Sequence, residues 1–176
     1  MGDEQGPGDA GRSALRRGGL SLVVFRIGLA IANSVLDQTY GSALAPGRWH
    51  SLRMGASPRR VIYTAGSRAL AQLEKRVHAN GIAPVGQALF RVILPDRLVV
   101  QNAEAMGLPV NWRDSEAITR AFGDRWLDSA GALALWVPSY VEPAEHNLLI
   151  NAEHPRLSEV TLVKERDPFE FDPRLT

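Results

Sequence analysis

The chain has 176 residues, with 20 Lys+Arg against 19 Asp+Glu and no cysteine. This length suits one domain with one core, and the nearly balanced charge gives no electrostatic sign of binding to nucleic acid or an acidic membrane surface. The lack of cysteine excludes a disulfide framework, thiolate metal ligands and a cysteine nucleophile, and it fits a reducing compartment, so we expect a cytoplasmic protein.

The N-terminal residues, 1–19, are rich in glycine and charge and have little apolar surface to bury. We therefore predict a disordered tail followed by a domain over 20–176. The next stretch, "LSLVVFRI", is β-branched and apolar and predicts a strand with Arg26 at or near its end. Two arginines precede it and Ala30-Ile31-Ala32 imitates a cleavage site, but Arg26 interrupts the apolar run, so we favour the strand over a signal peptide.

The clearest helix lies between two loop-rich regions. Residues 37–51 read as a loop that presents Tyr40, Arg48 and Trp49, and the loop continues to a short strand in "RVIYTA". A helix then begins after Ser67 as N-cap and stops at Gly81. Its predicted inward stripe is Leu70, Leu73 and Val77, and its predicted outward residues are Arg68, Gln72, Lys75 and Arg76.

The rest of the chain predicts short strands around one more helix. "ALFRVILP" and "RLVVQ" read as strands, "DSEAITRAFGDRWLDSA" as a helix broken near Gly123, and "ALALWVPS" as a strand. Three further short strands are predicted in "LLIN", "EVTLVKER" and "PFEFD". This mixture indicates an α+β fold with a largely antiparallel sheet or pair of sheets.

Glu74 is the most informative carboxylate, because it lies about 65° from the centre of the predicted apolar stripe at 100° per residue. Alone it would be a boundary glutamate in a salt bridge. Four residues at strand ends or in loops are placed to converge on its helix: Arg26, Tyr40, Arg48 and Tyr63. Arginines grip phosphate, tyrosine offers a stacking face, and a carboxylate stabilises a developing cation, so the set suits a dinucleotide. We expect an arginine to pair with Glu74.

Other chemistries have weaker support. His78 stands four residues after Glu74, and His146 and His154 flank two asparagines, but the histidines lack an HExxH arrangement, so we expect no metal. Ser139 follows Val-Pro and precedes Tyr, and it therefore lacks the G-x-S-x-G elbow of a serine hydrolase.

Five blocks occur in an order that resembles the RES domain family, from about Leu20 to Leu175. They are "FRI" (Phe25–Ile27), "PGRWHS" (Pro46–Ser51), "VIYTAGSRALAQLEKRVH" (Val61–His78), "FGDRWLDSAGALALWVPS" (Phe122–Ser139) and "EHNLLINAEHP" (Glu145–Pro155). The closing "DPFEFDPRL" is also similar to the end of that family.

The resemblance implies a bacterial toxin of a type II toxin–antitoxin system, with a fold similar to the ADP-ribosyltransferase core. Such proteins use NAD as substrate, which they degrade or from which they transfer ADP-ribose to a protein. The implied partner is an Xre-like antitoxin that blocks the active site, and the resemblance allows a homodimer within that complex. No nucleic-acid or membrane contact is implied.

The resemblance also implies roles for residues. The implied catalytic residues are Glu74, Arg48 and Ser139, and the implied NAD-binding residues are Arg26, Arg48, Tyr63, Tyr40 and Asn147 or Asn151. Glu74 would orient the nicotinamide ribose and stabilise the cation formed as nicotinamide leaves, and Tyr63 would stack on the nicotinamide. Ser139 would be a positioning hydrogen-bond donor rather than a nucleophile.

The chain departs from the family pattern at the implied pocket. Where many members read Gly-Gly-Arg-Trp-Asn, this chain has "PGRWH" ending at His50, and the loops over 52–60 and between Arg26 and Tyr40 look extended. Sequence leaves open whether water, phosphate or a protein takes the ribose. A non-catalytic module that binds a nucleotide or a partner on the same fold also stays open.

Overall fold

The computed structural model describes residues 21–53, 58–80 and 85–175. Its strands are β1 (Leu22–Leu29), β2 (Val61–Ala65), β3 (Gln87–Leu94), β4 (Val100–Asn102), β5 (Ala134–Pro138), β6 (His146–Asn151) and β7 (Thr161–Arg166). Its α-helices are α1 (Tyr40–Leu44), α2 (Arg68–His78) and α3 (Glu116–Ser129), and 3-10 turns cover Leu36–Thr39, Pro155–Glu159 and Pro173–Leu175. The α+β prediction is confirmed. The predicted tail, 1–19, and the predicted stop at Gly81 lie outside the described residues.

The described strands form one seven-stranded sheet in the order β4-β5-β6-β2-β1-β3-β7. β4 and β5 run parallel, and the other neighbouring strands are antiparallel. β1 pairs with β3 along its whole length but with β2 at one position, Phe25 opposite Ala65. The centre of the sheet therefore separates between β1 and β2, and Arg26 follows directly after the last shared pair.

The two longer helices bury different parts of the core. α2 places Leu70 and Ala71 in a cluster with Phe25 and Leu89. α3 places Phe122 and Trp126 in a second cluster, together with Trp49, Leu135 and Leu149. Because fully burying one large apolar side chain contributes roughly 1.5–3 kcal/mol, these contacts fix both helices on the sheet.

The buried face of α2 differs from the predicted stripe. Leu73 and Val77 are 41% and 53% exposed, whereas Ala71 is 5% exposed. The inward face is thus centred between Leu70 and Ala71, because a small alanine allows close approach to the sheet. On that wheel Glu74 lies about 10° from the centre, so it points inward rather than along the boundary.

Other predicted elements also need correction. Residues 36–44 are helical rather than loop, and Trp49, predicted to be presented by that loop, is 3% exposed. α3 continues without a break past Gly123. β1 continues to Leu29, three residues beyond Arg26. The segment "PFEFD" is not a strand but carries two buried rings, Phe169 and Phe171, which pack edge to face.

The longest described helix, α3, has 14 residues. About 20 apolar residues are needed to span a bilayer. None of the helices in the described ranges meets that requirement.

Candidate active site

A cleft of about 640 Å³ lies beside the separation of β1 from β2. One wall is built from Arg26 and Tyr63 on these strands, and another from the inward face of α2. The remaining walls come from α1, residues 45–48 and His50, the first two turns of α3, and the segments around Tyr140 and Asn147. The cleft is therefore assembled from parts that are far apart in the sequence.

Glu74 projects into this cleft from α2. Ser67 begins the helix as its N-cap and accepts a hydrogen bond from the Leu70 amide at 3.0 Å, as predicted. The Glu74 carboxylate accepts hydrogen bonds on Oε1 from Ser139 Oγ at 2.9 Å and from Asn147 Nδ2 at 2.5 Å. Neither donor carries a charge, and no described arginine or lysine forms an ion pair with Glu74. The prediction that an arginine pairs with Glu74 is therefore wrong.

Ser139 lies immediately after β5 and is fully buried. Its hydroxyl donates to Glu74, and its oxygen accepts hydrogen bonds from the amides of Val141 at 3.1 Å and Glu142 at 3.0 Å. The proton and the oxygen lone pairs of Ser139 are therefore already engaged. This geometry fits a residue that orients Glu74, because two backbone amides already hold the oxygen that would have to attack a ligand.

Arg26 closes the gap between the separated strands. Its guanidinium donates from Nη1 to the Tyr63 carbonyl at 2.7 Å, and from Nε and Nη2 to the side chain and carbonyl of Gln38 at 2.8 and 3.1 Å. Burial lowers the pKa of Arg26 to about 10, and nearby Tyr63 opposes that shift, so Arg26 is still protonated at neutral pH. Arg26 therefore supplies a fixed and partly desolvated positive charge.

Arg48 enters the cleft from the loop packed against α3. Its Nη2 lies 3.6 Å from Glu116 Oε1, and its guanidinium carbon lies 3.7 Å from the centre of the Tyr140 ring. Its carbonyl accepts a hydrogen bond from Thr119 Oγ1 at 2.6 Å. Nη1 is buried and has no hydrogen-bond partner among the described residues, which leaves one donor for a ligand.

Tyr63 presents its ring to the cleft while its hydroxyl is held from behind. That hydroxyl lies 2.8 Å from His50 Nδ1 and accepts a hydrogen bond from the Trp49 amide at 3.2 Å. His50 Nε2 lies 3.0 and 3.1 Å from the carbonyls of Ser42 and Ala45, so Nε2 carries the proton and Nδ1 accepts one from Tyr63. Burial lowers the pKa of His50 and raises that of Tyr63.

The structure separates the remaining predicted site residues. Asn147 lies in the cleft, whereas Asn151 is 1% exposed and donates to the Leu127 carbonyl at 3.4 Å beneath α3. Tyr40 is 66% exposed at the start of α1 and is not one of the residues that line the cleft. Six of the predicted residues therefore lie together: Arg26, Arg48, Tyr63, Glu74, Ser139 and Asn147.

A family model described as "RES domain" matches residues 13–172. The chain belongs to the RES domain family. The resemblance that the five sequence blocks indicated is thus confirmed.

Curated relatives of this RES domain come from several bacteria. "Prs ADP-ribosylating toxin" of Sphingobium sp. (strain YBL2) is 36% identical over 141 residues, which is 77% of this chain and 83% of the relative. "Toxin Res" of Yersinia enterocolitica is 34% identical over 139 residues, which is 77% of this chain and 88% of the relative. "Toxin Res" of Pseudomonas putida is 36% identical over 119 residues, which is 66% and 77% of the two chains.

Sequence reasoning missed several residues of the RES cleft. The sequence predicts that Lys75 faces outward, but it lines the cleft together with Ala71, Glu74, Val77 and His78 of α2. A wheel centred between Leu70 and Ala71 puts Lys75 about 90° from the centre, at the edge of the inward face. His50, Gln38 and Glu116 carry no local signal in the sequence, because their partners Tyr63, Arg26 and Arg48 are distant along the chain.

Histidine and carboxylate groups do not gather into a metal site in the part of the chain that the structure describes. His78 Nδ1 bonds to the Glu74 carbonyl rather than to its carboxylate.

Proposed function

We propose that this RES domain is a toxin that consumes NAD by cleaving the bond between nicotinamide and ribose. The observation that carries this proposal is the Glu74 carboxylate, held in the cleft by two neutral donors and not neutralised by any described cation. A carboxylate in an ion pair with arginine has less charge to offer a developing cation. Because glycosidic cleavage passes through an oxocarbenium-like state, an uncompensated carboxylate stabilises it directly.

In this mechanism the C1′–N bond breaks and its electron pair goes to the nicotinamide nitrogen. Nicotinamide then leaves as a neutral molecule, and the positive charge passes to the ribose. Glu74 accepts a hydrogen bond from a ribose hydroxyl and stabilises that charge, while Ser139 and Asn147 keep its carboxylate in place. A water or phosphate oxygen then attacks C1′, and attacking water loses a proton to solvent.

The other cleft residues bind the two ends of the dinucleotide. Arg26 and Arg48 are the phosphate and ribose ligands, for which guanidinium groups are well suited. The Tyr63 ring stacks on nicotinamide, and its hydroxyl is already held by His50, which keeps the ring orientation fixed. Substrate binding therefore relies on side chains that are positioned beforehand.

A second candidate shares the first step but passes the ribose to a protein. It is supported by the name of the Sphingobium relative, "Prs ADP-ribosylating toxin". Here a protein side chain replaces water at C1′, and ADP-ribose stays attached to it. Cleavage and transfer differ in the acceptor, not in the role of Glu74.

The relatives named "Toxin Res" support a toxin–antitoxin setting for this chain. An active NAD consumer would harm the cell that makes it, so we infer an Xre-like antitoxin that covers the cleft in the cytoplasm. A homodimer within that complex is part of the same proposal. An inactive copurified complex therefore has to be separated before NAD turnover is measured.

The test incubates the isolated protein with NAD, with and without phosphate, and follows nicotinamide, the ribosyl products and protein masses. We expect nicotinamide release from wild type and its loss in Glu74→Gln, which retains both hydrogen bonds to Oε1 but not the charge. Glu104→Gln is the matched control, because Glu104 bonds His146 outside the cleft.

The products separate the candidates. ADP-ribose indicates water, a ribosyl phosphate indicates phosphate, and an added mass on a protein indicates transfer. Intact NAD together with unmodified lysate proteins would leave only the non-catalytic binding module, and calorimetry would then show NAD binding without turnover.

A further inference from the structure

Four cationic side chains line the cleft, and they fall into two groups: Arg26, Arg48, Lys75 and Arg120. Arg48 and Arg120 both pair with the same carboxylate, Glu116. Among the described residues, no carboxylate lies within ion-pair distance of Arg26 or Lys75. The cleft therefore has one pair of cations with a counter-ion and one pair without.

The pair without a counter-ion lies on facing elements, Arg26 on β1 and Lys75 on α2. The three hydrogen bonds of Arg26 go to neutral acceptors, two on Gln38 and one on Tyr63. Lys75 is partly buried, and its side chain makes no hydrogen bond with the described residues. Burial, followed by the charge of Arg26, lowers the pKa of Lys75.

Holding two like charges in one cleft, partly removed from water, is unfavourable, and a bound anion offsets that cost. Glu74 does not serve as that anion, because its carboxylate is turned to Ser139 and Asn147. The cleft is thus polarised, with a free negative charge at Glu74 and free positive charges at Arg26 and Lys75.

We propose that Lys75, together with Arg26, forms a subsite that binds a phosphate group beside the reacting ribose. This inference rests on the proposed NAD-consuming function and adds Lys75 to its binding residues. A lysine ammonium binds phosphate as a mobile point charge, which complements the fixed guanidinium of Arg26. The phosphate has two sources, the pyrophosphate of the bound dinucleotide or free phosphate that acts as acceptor.

Lys75→Gln tests the subsite, with Arg76→Gln as the matched control. Arg76 is the next residue of α2, so both changes remove one positive charge from the same helix, but Arg76 does not line the cleft.

Calorimetry measures the affinity for ADP, which keeps the pyrophosphate, and for adenosine, which lacks it. Where the subsite holds the pyrophosphate, Lys75→Gln should weaken ADP binding about tenfold without changing adenosine binding, since a charged hydrogen bond is lost. Arg76→Gln should bind both as wild type does, and Lys75→Arg should restore ADP binding.

The second arm measures nicotinamide release from NAD with and without inorganic phosphate. If Lys75 holds free phosphate, Lys75→Gln loses the acceleration by phosphate while its ADP affinity stays at the wild-type value. If Lys75 holds the pyrophosphate, the ADP affinity falls in the first arm. Equal ADP affinity and equal phosphate dependence in wild type and Lys75→Gln overturn the subsite.

The two proposals fail separately. ADP binding does not require turnover, so a loss of ADP affinity in Lys75→Gln supports the subsite even if wild type leaves NAD intact. Conversely, full NAD cleavage by wild type, with no effect of Lys75→Gln in either arm, removes the subsite and leaves the NAD-consuming function in place. Thermal unfolding of each variant checks that the fold is retained.

Discussion

Glu74, Ser139 and Asn147 form a hydrogen-bonded group in which the carboxylate has neutral partners on one oxygen. The second oxygen, Oε2, has no hydrogen-bond partner among the described residues and is available to a ligand hydroxyl. Ser139 is itself fixed by two backbone amides, so the orientation of Glu74 is set by the turn after β5. The reactive carboxylate is thus oriented by backbone geometry on a different element.

Ser139→Ala distinguishes this positioning role from a nucleophilic one. Loss of a hydrogen bond to a charged group costs about 1.5–3 kcal/mol, so kcat/KM for NAD should fall roughly ten- to hundredfold. A nucleophile would instead leave no measurable turnover. Steady-state kinetics gives the size of the fall, and intact-protein mass spectrometry checks that wild type carries no ribosyl adduct on Ser139.

Ser129→Ala is the control for Ser139→Ala, because its hydroxyl bonds the Trp126 carbonyl at the far end of α3. It should leave kcat/KM within about twofold of wild type, as surface changes usually do. A covalent intermediate on Ser139, or activity in Ser139→Ala equal to wild type, would contradict the positioning role.

At the scale of the elements, α2 and α3 supply the two sides of the cleft by different means. α2 was predicted well as a helix, because its N-cap and its 3.6-residue period are local signals. The prediction of its inward face is wrong, because the sequence pattern of large apolar residues selects Leu73 and Val77 and passes over the small Ala71. α3 was predicted with a break at Gly123, since a glycine reads as a helix breaker when its neighbour in space is unknown.

Gly123 is where α3 and the loop that carries Arg48 come closest. A Cβ added at Gly123 would lie 1.9 Å from the Trp49 carbonyl oxygen, so Gly123→Ala has to push the loop away from the helix. Alanine favours a helix over glycine by about 1 kcal/mol, but such overpacking typically costs 1–3 kcal/mol or more. We expect a net loss of about 1–2 kcal/mol in urea unfolding and reduced NAD turnover, because Arg48 moves with the loop.

Gly41→Ala in α1 provides the matched comparison. A Cβ at Gly41 would meet nothing within 4 Å, so this change should be neutral or slightly stabilising. If Gly123→Ala unfolds at the same urea concentration as wild type, the close contact is not what sets the position of the loop.

At the scale of the whole molecule, the predictable parts are those with local signals. The strand runs β3, β5 and β6 were placed within a few residues, because continuous apolar runs bounded by turns indicate buried strands. The segment at Phe169 and Phe171 alternates apolar and polar residues as a strand does, but it is irregular. It is attached to the start of β3 by a hydrogen bond from the Phe169 amide to the Gln87 carbonyl at 2.7 Å. The separation of β1 from β2, and the Arg26 contact that bridges it, depend on pairing across 37 residues and have no sequence signature.

His50 links several of these distant parts. Its ring joins the carbonyls of Ser42 and Ala45, at the C-terminal end of α1, to the hydroxyl of Tyr63 on β2, and it is 1% exposed. Protonation would put a proton on Nδ1, which already accepts from Tyr63, and would bury a charge. The neutral form of His50 therefore belongs to the folded state.

This arrangement makes the free energy of unfolding depend on pH. Burial lowers the pKa of folded His50 below its ordinary value of 6.5, so between these two values the unfolded chain binds a proton that the folded chain does not. Stability is then fully present above pH 6.5 and is lost as pH falls through the folded pKa, with a slope of at most about 1.4 kcal/mol per pH unit. Urea unfolding at a series of pH values from 7.5 downward measures this slope.

His50→Asn keeps an amide donor for the carbonyls but binds no proton, and should flatten the curve of unfolding free energy against pH below pH 6.5. His154→Asn, at a 3-10 N-cap where asparagine also caps well, should leave the curve unchanged. If His50→Asn and wild type lose stability in parallel on acidification, the buried histidine is not the source of the acid sensitivity.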